Sequence, residues 1–194
     1  MNTVFLLSVG FGVIFVALMW VVSSLYLIKE SELGLIEKKI LGASLAPNRV
    51  LAANGEQGLQ ARTLTPGLHF LPAPFFKVWR RPIIEVPQGQ IALVTAIDGA
   101  QLRSGQLLGR AVANHHAFQD GEAFLRNGGQ KGPQVDILTP GQYRINTRLF
   151  KIEFAPAVEV KQGVVATLTA IDGSPLRTGQ LLGKTIPGHD NFQN

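Results

Sequence analysis

The chain has 194 residues, a formal charge of +5, 46% hydrophobic residues and no cysteine. Without cysteine there can be no disulfide framework, no thiolate metal site and no thiol nucleophile. Lys and Arg are scattered, with no basic run interleaved with aromatics, so the positive balance does not read as a nucleic-acid interface. It suits anionic lipid headgroups instead, near which each basic residue contributes about 1 kcal/mol.

The first element is apolar. VFLLSVGFGVIFVALMWVVSSLYLI (Val4 to Ile28) carries no charged residue. As a helix it would be about 37 Å long, against a hydrocarbon core of about 30 Å, so it predicts an N-terminal transmembrane anchor over residues 1–28. MNT supplies no basic residue before the run, which disfavours a cleaved signal peptide. Lys29, Lys38 and Lys39 follow the run closely, and the positive-inside rule then puts the C-terminal portion in the cytoplasm.

Behind this segment the sequence repeats. Val86 to Asp120 aligns without a gap on Val160 to Asn194, with 19 identities in 35 positions at an offset of 74. Chance would give about two, so the segment is a duplicated structural unit. The same offset relates Gly55–Val78 to Gly129–Ile152, through Gly58/Gly132, Gln60/Gln134, Leu64/Leu138 and the Thr-Pro-Gly triplets at 65–67 and 139–141. A looser match sets Ile28–Lys39 against Val86–Ile97. The expected organisation is a first unit at 29–85, a full second copy at 86–159, and the start of a third at 160–194. Stopping at FQN, where the second copy runs on, the chain reads as a fragment of a longer protein.

Each copy reads as β. Ile91–Ala96 and Val164–Ala170 are short β-branched runs followed by Asp98-Gly99 and Asp172-Gly173, dipeptides of hairpin type. The Thr-Pro-Gly triplets predict β-turns, with strands Phe75–Arg80 and Thr147–Phe154 after them. One helix is expected, His116 to Arg126, stopped by Asn127-Gly128-Gly129. The fold class is thus α+β and β-rich: a transmembrane helix, then repeated small hairpin and sheet units with a short helix per full repeat.

Several residues invite chemistry, and each has a plainer explanation. GQLLGKT (Gly179 to Thr185) resembles a phosphate loop, but a P-loop needs its first Gly at 178, where Thr178 stands. The second copy has Arg110 and Ala111 in place of Lys184 and Thr185, so the repeat preserves a bend and not a phosphate cradle. His115 and His116 are adjacent and so diverge on any regular element; His115 recurs as His189, whereas His116 becomes Asp190, which favours a turn or capping role. Asp98 and Asp172 each precede Gly, which makes them turn residues rather than general acids. Arg103 and Arg177 read as a solvated face. Serines lack the G-x-S-x-G context. No catalytic residue, cofactor site or metal site is predicted. Lys29, Trp79, Arg80 and Arg81 are the expected membrane-proximal contacts, since Trp and Arg suit the headgroup zone.

The apolar segment, then ESELGLIEKK, then GLQARTLTPGLHFLPAPFFKVWRRPIIEV, resembles the start of the SPFH (Band 7) domain of stomatins, prohibitins and flotillins over residues 28–95. The residues that carry the likeness are Leu64, Pro66, Gly67, His69, Phe70 and Pro72. Continuing β-repeats point to a flotillin-like bacterial branch, while the helical half of that domain and its coiled coil are absent from this chain. The resemblance implies a membrane-anchored, non-enzymatic scaffold that forms a homo-oligomeric ring or cage and organises a lipid microdomain. Its partners would be the bilayer, copies of itself, and a membrane protease or transporter. The alternative is an adaptor or chaperone subunit of a protease or secretion complex.

Overall fold

The computed structural model describes residues 3–188, with side chains described from Val9 onward. Helix α1 (Thr3–Ser23) comes first. It stops where serine side chains compete for its last carbonyls. Both Ser23 Oγ and Ser24 Oγ donate to the Trp20 carbonyl, at 2.8 and 2.7 Å. Ser24 is fully buried, and its Oγ also accepts the Ala73 N–H at 3.0 Å, tying the helix end to a later loop. The chain then enters strand β1 (Leu25–Ile28), antiparallel to β4 (Gly67–Phe70), with Ile28 in the core.

The expected span is therefore divided between a helix and a strand. Among the described residues no helix is long and apolar enough to cross a membrane. The transmembrane helix, the single-pass anchor and the membrane localisation with a cytoplasmic C-terminal portion are all corrected accordingly. Apolar composition is continuous through Ile28, but the backbone of Leu25–Ile28 is committed to sheet pairing, which hydropathy alone does not register.

The chain divides into two compact units, Met1–Ile83 with Arg144–Asn146, and Ile84–Tyr143 with Thr147–Asn194. In the first, β2 (Glu32–Lys38) is the centre of an antiparallel sheet in the order β3–β2–β5, with β3 (Gly58–Leu64) and β5 (Phe76–Pro82) as its outer strands. Leu33, Gly34, Leu35 and Ile36 are consecutive and all buried, as in a central strand covered on both faces. A β-bulge falls between Leu35 and Glu37. At the β3–β4 turn, Gly67 takes φ 131°, the positive value a Pro-Gly turn requires. The buried Asn146 amide donates to the Gln60 and Ala61 carbonyls at 3.0 and 2.9 Å, which fixes the Arg144–Asn146 segment to this unit.

The second unit repeats that plan. Strand β6 (Ile84–Val86) pairs with β9 (Gly141–Tyr143), and β7 (Gln90–Ala96) is the centre of the sheet β10–β7–β8, with β8 (Gly132–Leu138) and β10 (Phe150–Pro156). Its register is the same residue for residue. Gly34 opposite Leu64 becomes Ala92 opposite Leu138, Glu32 opposite Pro82 becomes Gln90 opposite Pro156, and the bulge recurs between Leu93 and Thr95. Both units also use one glutamine to clamp the entry to their third strand. Gln60 Nε2 donates to the Glu56 and Gly58 carbonyls; Gln134 Nε2 donates to those of Gln130 and Gly132.

Between β7 and β8 lies helix α2 (Gly121–Arg126), shorter than the expected His116–Arg126. Its start is set by the preceding backbone: His116, Ala117 and Phe118 take φ of 49°, 52° and 62°, left-handed values no right-handed helix accepts. Asp120 then caps it, its carboxylate accepting the Ala123 N–H at 2.9 Å. Phe118, Phe124 and Phe150 form a fully buried cluster, with ring centroids 5.0 to 6.0 Å apart.

Beyond β10 the third copy follows no such plan. Val164–Ala170, expected as a strand, forms no strand, and Val165 is 92% exposed. Its counterpart β7 lies between two partners; among the described residues this segment has none, and an unpaired strand leaves its backbone groups to water. Corrected throughout, the described fold is mostly β-sheet with two helices, of which α2 belongs to the second copy alone.

Candidate functional site

One feature joins the third copy to the second. After β7 the chain turns at Asp98-Gly99 and runs through Arg103–Gly109 as a loop shaped by a single side chain. Gln106 Oε1 accepts the Arg103 N–H at 3.1 Å, and its Nε2 donates to the Leu108 carbonyl at 2.6 Å. Gly105 takes φ 81° at the bend. Its glutamine stitches the loop at both ends, leaving the amides of Leu107 and Leu108 pointing the same way, free of intraloop acceptors.

Those two amides hold Asp172. Its Oδ2 accepts the N–H groups of Leu107 and Leu108, both at 2.9 Å, while Oδ1 accepts the N–H of its own neighbour Gly173 at 2.7 Å. Donation from Leu108, Leu107 and Gly173, in that order, holds the carboxyl below its ordinary value. Gly173 sits at φ 129°, so the turn presents the outer carboxylate oxygen to a partner while satisfying the inner one itself. Chemically the site is a neutral nest of backbone N–H groups for one carboxylate oxygen.

The residues expected at a membrane face are placed on the first unit and do not form one patch. Lys29 is exposed in the turn before β2, its carbonyl accepting the Glu32 N–H. Trp79 is half-buried on β5 opposite Leu35, with Lys77 Nζ 3.8 Å above its ring and its Nε1 3.4 Å from Glu37 Oε2. Arg80 and Arg81 are exposed opposite Gly34 and Leu33, and as strand neighbours they project to opposite faces.

His115 is buried and serves the turn before α2. Its Nδ1 accepts the Phe118 N–H at 2.7 Å, its Nε2 lies 3.5 Å from Asp136 Oδ2, and its ring packs on Phe118 at a 38° tilt with centroids 4.4 Å apart. His189 and Asp190 lie outside the described residues. Among the described residues no three His, Asp or Glu side chains gather where a metal ion would fit. Gly183-Lys184-Thr185 is exposed irregular chain, and no helix follows it among the described residues as a P-loop would need. Asp98 and Asp172 are turn residues, each carboxylate accepting the next Gly N–H at 2.7 Å. The reach of Asp172 across 64 and 65 positions to Leu108 and Leu107 has no periodic signal in the sequence. Recurrence of Asp-Gly and Gln-Leu-Leu-Gly at a fixed spacing was the only trace of it.

Comparison of the chain with models of known families, with curated proteins and with solved structures returned no match.

Proposed function

We propose that this chain is a non-enzymatic scaffold, built of repeated β units, that assembles with copies of itself by strand pairing. The observation that carries the reading is the contrast between β7 and Val164–Ala170. The two segments share their alternation of small and branched residues. Ala92, Val94 and Ala96 are buried in β7, and Ala166, Leu168 and Ala170 stand at the same positions, exposed. Such a run seeks a sheet edge, and β5 and β10 are terminal strands in their sheets. Resemblance to SPFH proteins over residues 28–95 supports the same class of function. The lipid-microdomain part of that expectation depended on the anchor and is dropped with it.

Sedimentation velocity on the full chain tests the reading. A species of several copies is expected, falling to monomer when Val165→Lys and Leu168→Lys put charges in the exposed run. A monomer throughout the micromolar range, or an oligomer indifferent to both charges, would overturn it.

A further inference from the structure

The loop that receives Asp172 is present a second time. Arg177–Gly183 reproduces Arg103–Gly109: Gln180 Oε1 accepts the Arg177 N–H at 3.2 Å, Gln180 Nε2 donates to the Leu182 carbonyl at 2.7 Å, and Gly179 takes φ 82°. The Gln180 N–H bonds to the Arg177 carbonyl at 2.9 Å, as the Gln106 N–H bonds to that of Arg103 at 3.0 Å. In the earlier loop Gln106 also exchanges hydrogen bonds with Gln130, yet the later loop reaches the same shape without that support. The shape is therefore local to the loop. Leu181 and Leu182 occupy the positions of Leu107 and Leu108, are 90% and 81% exposed, and their amides meet no acceptor among the described residues.

We propose that the Leu181 and Leu182 amides form a carboxylate site that takes the Asp-Gly turn of a further unit of this repeat. The chemistry is fixed by the filled copy of the site. One aspartate oxygen spans both amides, the other is occupied by the following glycine N–H, and glycine supplies the positive φ that brings the two about. Arg177 and Lys184 flank the loop and favour an anion. Among the described residues no Asp-Gly turn is left over for the site: Asp98 is fully buried, Asp172 is already engaged, and the first copy has Ile40 at the aligned position. A backbone nest prepaid in shape by Gln180 binds without reordering, which is what allows so small a site to select its ligand.

The inference deepens the scaffold reading by naming the ligand of the exposed loop in its third copy, and its test is separate. The 15N-labelled full chain is titrated with the peptide TAIDGSPLRTG, the sequence of Thr169–Gly179, with the same peptide carrying Asp→Asn, and with acetate. Saturating downfield shifts of the Leu181 and Leu182 amides are expected with the Asp peptide. Binding should be roughly tenfold weaker with the Asn peptide, because a charge-assisted bond is replaced by a neutral one. A Gln180→Ala chain should lose the response while its other resonances stay in place. No shift at these two amides, equal binding of both peptides, or acetate matching the Asp peptide would each overturn the site. A chain that sediments as a monomer and still binds the peptide would overturn self-assembly and leave the site standing.

Discussion

Strand β7 and the segment Val164–Ala170 are repeat counterparts with opposite fates. One is buried between two partners; the other is open chain. Their Asp-Gly turns and glutamine-stitched loops, by contrast, are formed identically in both places. Turns and loops closed by a side chain two or three positions away need only their own residues. Strands need partners brought from far along the chain, so a related, similarly alternating segment forms one in the second copy and none in the third.

The largest break in that comparison should come from the aromatic cluster, which among the described residues only the second copy has. Phe150→Ala removes a fully buried ring packed on Phe118 and Phe124 at 5.2 and 5.0 Å. Denaturant unfolding should show a loss of about 3–5 kcal/mol. Phe76→Ala, at the same register position in the first unit but half-buried, should cost clearly less.

A smaller effect isolates the loop glutamines. Gln106→Ala deletes the local stitch and the bonds to Gln130, and should cost about 1–2 kcal/mol. Gln180→Ala deletes the same local stitch where nothing is packed on it, and should leave global stability within about 0.5 kcal/mol. Equal losses in unfolding experiments would refute the view that the third copy is only locally formed.

The smallest global effect, and the most selective, belongs to Asp172→Asn. Unfolding should not change measurably, but limited proteolysis should cut between Val164 and Leu182 several times faster. The pH dependence follows from a depressed carboxyl. The lock is fully present above the ordinary value of 3.8 and is lost as pH falls through the lower value of the docked group. Proteolysis of the wild-type segment should therefore accelerate only in that acid window, and the Asn variant should show no such step.

What the sequence disclosed follows the same division between local and distant causes. The Pro-Gly turns, the Asp-Gly turns and the duplication are written in adjacent residues and were readable. Helix α2 was overextended at its start because nothing in His116-Ala117-Phe118 announces three left-handed residues; that conformation depends on His115 accepting the Phe118 N–H. The apolar run to Ile28 differs from its expected helix for a related reason. Hydropathy sees side chains, whereas the fate of Leu25–Ile28 is decided by backbone partners about forty positions away. The carboxylate lock stayed hidden because its two halves lie in different copies.

The two units agree in register before and after one loop, yet the alignment offset rises from 58 on the central strand to 74 on the third, a difference of 16. A whole helix and half an aromatic core have been accommodated there without moving one backbone pair in the sheet. That connection between the second and third sheet strands is therefore the natural place to graft a reporter or a cargo domain, since the architecture has already shown it can carry a passenger.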